Sequence, residues 1–225
     1  MNLPKGLDRR PLVLSYTMLN TYLTICPYQA AERFIWKNIP FFETDQMREG
    51  TAVHEAMENR VGKKVPLPEK YKPHEAFAIP LDQFQQVQCE AQLGITREGQ
   101  HTRFFGDDVY LRGKLDCSIV HGNKAYLVDW KNGKVREDPF ELEVQAVLLK
   151  AKYPQLTDIK GQYGWLQHGK MGQLHTLSDT DRTWGIVRNT GDQIAADRKS
   201  GNFEKREGPL CKFCPCKNCE NHPEY

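Results

Sequence analysis

The sequence predicts an α/β or α+β chain with a mixed central sheet flanked by helices, and three observations carry that expectation. Apolar residues recur at helical spacing near both ends. They alternate at period two through the middle, at Val109, Leu111, Leu115, Cys117 and Ile119. A helical segment at 139–153 then separates that region from two further strand-like runs.

Taken in order, Ser15 is a candidate N-cap, followed by Leu19, Tyr22, Leu23 and Cys26 at helical spacing, with Pro27 at a kink or a new start. A second helix is expected from about Thr44 to Val61, with Val53, Met57 and Val61 on one face. The Pro- and charge-rich stretch Lys63–Ile79 reads as a loop or a poorly ordered crossing, and Gln83–Leu93 as a helix. His121-Gly122-Asn123 is a turn signal, Ala125–Trp130 a strand, and Asn132-Gly133 its end. Pro139–Tyr153 is a helix, Gly161–Gln167 and Gln173–Leu177 are strands, and Asp179 caps a last helix reaching about Ser200.

The 225 residues suit one domain or one with a small appendage: 12–62 as a helical part with Cys26 and His54, 102–178 as the sheet core, and 179–225 as the last helix and a cysteine-rich tail. No apolar run reaches the roughly 20 residues of a membrane span. No apolar signal segment follows the charged Met1–Arg10, so a cytoplasmic protein is expected. A net charge of +2 announces no nucleic-acid binder by itself, and any DNA path must be local. Of seven cysteines, four fall at 211, 214, 216 and 219, a clustering that without a secretion signal favours metal over disulfides. Cys89 and Cys117 read as small interior residues.

Chemistry enters through alternation. With the apolar residues of the first strand at odd positions, Asp116 points to the opposite face, while Asp129 and Lys131, two apart, share a face against Tyr126, Val128 and Trp130. Strands joined by a tight turn are neighbours, so Asp116 and Asp129 can converge beside Lys131. Paired carboxylates suit a hard cation, which polarises a phosphate and acidifies a water, and an adjacent lysine can orient or help deprotonate that water and offset charge. Alone, an Asp-x-Lys triplet is more often a solvated strand end than a catalytic pair.

The surroundings raise the reading. Gly113-Lys114-Leu115-Asp116 followed by Leu127-Val128-Asp129-Trp130-Lys131 resembles the core of the PD-(D/E)xK nuclease superfamily, and more closely its RecB-like branch. Gly50-Thr51-Ala52-Val53-His54 resembles that branch's Gly-x-x-x-His motif, and Gln145 stands where the branch has a Gln on the following helix. Four residues on, the branch has a Tyr and this sequence has Leu149; Tyr153 lies one turn further. The resemblance implies a restriction-endonuclease-like fold. It also implies Mg²⁺ or Mn²⁺ held by His54, Asp116, Asp129 and the Trp130 carbonyl, Lys131 positioning the attacking water, Gln145 orienting Lys131 or the DNA phosphate, and a 5′-phosphate product.

The segment from Ser15 to Cys26-Pro27 resembles RecB-like nucleases that carry an iron–sulfur cluster, the CRISPR-adaptation and AddB-type enzymes, in which one early and three late cysteines join the chain ends. That implies a [4Fe–4S] cluster on Cys26, Cys211, Cys214 and Cys219, although the gap from Cys214 to Cys219 is one residue shorter than the family's. Tetrahedral zinc is the alternative, including a local knuckle of Cys211, Cys214, Cys216 and Cys219. The expected activity is exonucleolytic cleavage of single-stranded or end-bearing DNA in recombination, repair, replication or end processing, alone or with a helicase or another such partner, since no phosphate-loop motif is present. A phage-encoded version would act in the host cytoplasm. An endonuclease, a sequence-specific restriction enzyme and a non-catalytic DNA-binding module are the alternatives. Trp130, Tyr163 and Trp165 are candidates for base stacking.

Overall fold

The computed structural model describes residues 11–40 and 42–223; Met1–Arg10, read above for signal character, lie outside them. Among the described residues the α-helices run in chain order as α1 (Tyr16–Asn20), α2 (Pro27–Ala30), α3 (Asp45–Lys63), α4 (Glu75–Ala78), α5 (Pro139–Lys152) and α6 (Thr180–Ser200). The strands are β1 (Val87–Ile95), β2 (His101–Thr102), β3 (Leu111–His121), β4 (Lys124–Lys131), β5 (Asp158–Trp165), β6 (Lys170–Met171) and β7 (His175–Thr176). None of the described helices is long and apolar enough to cross a membrane. The chain divides into two compact units, residues 43–184 and the two terminal segments 1–42 and 185–225.

The larger unit is built on one sheet of order β2-β1-β3-β4-β5-β6, with β7 also on β5. Only β4 and β5 are parallel, and α5 is their crossover; the rest pair antiparallel, so the sheet is mixed as expected. Helix α3 is capped by Thr44, whose side chain accepts from the Met47 amide, and buries Val53, Met57 and Val61. Those residues share a core with Cys117, Ile119, Val128 and Trp130 of the sheet. Asp138 caps α5 with Pro139 at its first position. Asp179 accepts from the Arg182 amide at the start of α6.

Two expectations fail here. Residues 83–93 are not a helix: Val87–Ile95 is β1, paired with β3 from Val87↔Ile119 to Ile95↔Leu111. Gln83, Gln85, Gln86, Gln88 and Gln92 favour helix locally, and two-sided strand pairing overrides that preference. Residues 63–79 are not a plain loop. They form short helical turns, Glu69–His74, α4 and Ile79–Leu81, which add Tyr71, Phe77, Ala78 and Leu81 to the α3 core, with Leu67 just ahead of them. Arg60 ties this segment down, with Nε 2.7 Å from Glu75 and Nη2 2.8 Å from Asp82.

In the terminal unit, α1 begins at Ser15, whose hydroxyl accepts from the Met18 amide at 3.3 Å. The helix widens into a π turn over Thr21–Ile25, closed by Cys26 N donating to Thr21 O at 2.9 Å. Pro27 starts α2 and forces the residue before it out of helix, so Cys26 is extended at φ −160°, ψ 123°. The early and late segments are bonded together. Tyr28 N donates to Glu204 O at 3.0 Å, Arg206 Nη1 to Leu23 O at 2.8 Å, and Tyr22 Oη to Asp197 Oδ2 at 2.5 Å.

Candidate active site and thiol cluster

Strands β3 and β4 leave their turn in register from His121↔Lys124 and stay paired to Cys117↔Val128, where the recorded pairing stops. Beyond that point Trp130 N donates to the Asp116 carboxylate, Oδ2, at 2.8 Å instead of continuing the ladder. Simple alternation also breaks along β3. Cys117 faces the α3 core, yet a Cβ on Gly113, at the same parity, would lie 2.7 Å from Leu148 Cδ1 of α5. The distorted stretch between them carries Asp116.

Asp129 and Lys131 do share a face. Asp129 is 3 % exposed, with Oδ2 2.7 Å from Lys131 Nζ and Oδ1 accepting from Gln145 Nε2 at 2.7 Å. Lys131 Nζ lies equally close, at 2.8 Å, to Glu141 Oε2, and 5.5 Å over the Tyr163 ring. Burial, followed by the nearby charge of Asp116, pushes the Asp129 carboxyl up to about 7. Burial pulls the Lys131 ammonium down, but Asp129 and Glu141 outweigh it and hold it above the ordinary lysine range.

His54, one position beyond buried Val53 on α3, brings Nδ1 to 3.4 Å from Asp116 Oδ2. Burial lowers its pKa, and the Asp116 hydrogen bond and charge more than reverse that, for a net rise. His54, Asp116 and Glu90 each place one ligand atom within 4.8 Å of the others, a set of one nitrogen and carboxylate oxygens that suits a hard divalent cation. Asp129 stands beside this group rather than in it, engaged by Lys131 and Gln145.

Gln145 thus reaches Asp129, not Lys131; the residue that shares Lys131 is Glu141, one helical turn earlier on the same face of α5. Glu141 was missed, although its four-residue spacing from Gln145 was a usable signal. Glu90 was missed because its strand was read as a helix. Leu149 is fully buried, and Tyr153 accepts from Gln88 Nε2 at 2.7 Å. Trp130, Tyr163 and Trp165 are all core residues, not stacking platforms, because strand aromatics at 1–2 % exposure offer no face to a base. Gly50 has open space where a side chain would stand, and nothing in the structure explains a glycine there.

In the terminal unit Cys26, Cys211, Cys214, Cys216 and Cys219 line a cavity of about 300 Å³ together with Tyr28, Arg206 and His222. All five are free thiols. Arg206 N donates to Cys26 Sγ at 3.4 Å, and Cys211 Sγ lies 3.8 Å from Arg206 O. Burial, followed by the adjacent Cys214, pushes the Cys216 thiol up. Among the described residues no three of these thiols come within 4.8 Å of one another. Cys117 is buried and Cys89 half-buried, paired across β1 and β3 as interior residues.

Residues 70–219 match the profile of the PD-(D/E)XK nuclease superfamily. A crystal structure of a proposed exonuclease from Eubacterium rectale superposes with a TM-score of 0.55 at 12% identity, covering 98% of this chain and 92% of that one. A second structure, of the protein SSO0001, gives 0.48 at 14% identity over 92% and 85%. No curated protein matches the chain significantly.

Proposed function

The chain belongs to the PD-(D/E)XK nuclease superfamily, and from that premise we propose a Mg²⁺- or Mn²⁺-dependent deoxyribonuclease of the RecB-like branch that acts as an exonuclease on single-stranded or end-bearing DNA. The observation that carries this is Lys131, held between Asp129 and Glu141 next to the His54–Asp116 pair. The cation would be held by His54, Asp116 and Asp129 with the main chain of Trp130. When bound, such a cation polarises the scissile phosphate and acidifies a water.

The chain's own residues do the rest. Lys131, held by Asp129 and Glu141, orients the attacking water and offsets charge gathering on the phosphate. Gln145 fixes the rotamer of Asp129, and Trp130 N fixes that of Asp116. Water oxygen bonds to phosphorus as the bond to the 3′ oxygen breaks, and the proton that the water gives up is balanced by the one the 3′ oxygen takes from solvent, leaving a 5′-phosphate and a 3′-hydroxyl.

A single-stranded substrate is favoured by an exposed aromatic in the same unit. Phe105 is 75 % exposed, and the Arg112 guanidinium packs 5.3 Å from its ring and 5.0 Å from Phe104. Arg112 lies four residues before Asp116 on β3, about 13 Å along a strand. An aromatic face beside a cation suits a stacked base and its phosphate.

For the thiol cavity we propose a [4Fe–4S] cluster on Cys26, Cys211, Cys214 and Cys219. The Cys26-Pro27 context, with one early and three late cysteines brought to one cavity, favours this over tetrahedral zinc, which takes the same four thiolates. End-labelled linear and circular single-stranded DNA with Mg²⁺ tests the enzymatic reading. Loss of linear substrate alone is the expected result; cutting of circles would make it an endonuclease, and no cutting of either would refute the activity.

A further inference from the structure

Glu90 belongs to none of the motifs that the sequence offered, yet the backbone around it is arranged for it. It sits inside β1 with φ +55°, the left-handed region that a non-glycine residue rarely enters, and almost never within a strand. The β1–β3 register is the same on both sides of it, Cys89↔Cys117 and Ala91↔Leu115, so no residue has been inserted. What is interrupted is the single position where Glu90 faces Asp116. Strain of this kind persists only where the surroundings over-determine it, and it gathers at functional sites.

The side chain provides the second observation. Glu90 is only 13% exposed, and its carboxylate oxygen stands within 4.8 Å of both His54 and Asp116. Its counter-charge is Lys114, an ion pair along the sheet, and Lys114 is itself half exposed. A carboxylate removed from water beside another carboxylate is unfavourable unless a cation compensates it. Lys114 supplies that charge from the solvent side, where it can leave.

We infer that Glu90 is a ligand of the divalent cation, completing the set of His54 and Asp116, with Lys114 as the counter-ion that the cation displaces. This rests on the metal-dependent reading of the same site. Two consequences follow. Removing the charge of Glu90 weakens the cation site, and removing Lys114 strengthens it.

The test is Mn²⁺ binding by titration calorimetry, with no DNA and no activity readout. Glu90→Asn keeps a residue that tolerates the left-handed backbone, and Glu90→Gly relieves it altogether. Both are expected to bind Mn²⁺ at least about ten-fold more weakly than wild type, the order seen when a residue supporting a metal site is lost. Glu90→Gly should do so while raising the melting temperature of the metal-free protein. Lys114→Met should bind several-fold more tightly. If both Glu90 variants bind as wild type does while Asp116→Asn does not, Glu90 is only the partner of Lys114 and the inference is overturned, with the nuclease reading intact. If wild type binds no Mn²⁺, the metal-dependent reading fails and takes the inference with it.

Discussion

The two candidate centres are built in opposite ways. The carboxylate site stands on regular elements: β1, β3, β4, α3 and α5 each contribute a residue, and their rotamers are fixed by hydrogen bonds and ion pairs before any ligand arrives. The thiol cavity stands on a π turn, an extended Cys26 and a tail whose regular structure past α6, among the described residues, is a single short helical turn, Cys211–Phe213. One site is pre-organised by secondary structure. The other depends on backbone bonds such as Tyr28–Glu204 and Arg206–Leu23, and on whatever its thiols bind. The first should tolerate loss of its ligand with the fold unchanged, and the second should not.

The largest effect that this contrast demands is on turnover. Asp116→Asn and Asp129→Asn should each lower the DNA cleavage rate by about 100- to 1000-fold or more, with circular dichroism unchanged. A variant that lost its helical signal along with its activity would break the contrast. Next comes the tail. Cys26→Ala should remove the absorbance band expected near ~400 nm for an iron–sulfur chromophore and lower the melting temperature, whereas Cys216→Ser should retain the band. A full band in Cys26→Ala would remove Cys26 from the ligand set.

A smaller effect concerns pH. Burial raises Asp129 from its ordinary 3.8 to about 7 in the folded, metal-free protein. A carboxyl raised in this way contributes stability that is fully present below its unfolded value and is lost as pH rises through about 7. In EDTA the protein should lose up to a few kcal/mol between pH 4 and 8 from this group, and Asp129→Asn should flatten that part of the profile. Denaturant melts across that range measure it; a slope identical in wild type and Asp129→Asn would contradict the assignment. The smallest effect is at the exposed aromatic. Phe105→Ala should raise KM for single-stranded DNA by roughly five- to a hundred-fold, the loss of about 1–3 kcal/mol of stacking, and leave kcat in place.

The same contrast explains what could be read in advance. Helix α3 with His54, the β3–β4 pair and α5 were legible because helical or alternating period and the His121-Gly122-Asn123 turn agreed locally. Strand β1 was not, since its glutamines favour helix and only its pairing to β3 makes it a strand. With β1 went Glu90, whose closeness to His54 and Asp116 is purely tertiary. Alternation placed Asp129 and Lys131 correctly but could not foresee the break in β3 at Asp116. Cysteine spacing marked the tail, and three-dimensional placement adds Cys216 to the same cavity.

In the proposed mechanism cation holding and phosphate chemistry fall to different side chains, with Lys131 serving only the second. Lys131→Met separates them in one preparation, assayed for Mn²⁺ binding and for cleavage of linear single-stranded DNA. Mn²⁺ binding within a few-fold of wild type, with cleavage reduced by about 100-fold or more, is the expected result. Cleavage at the wild-type rate, or loss of the cation together with the activity, would contradict it.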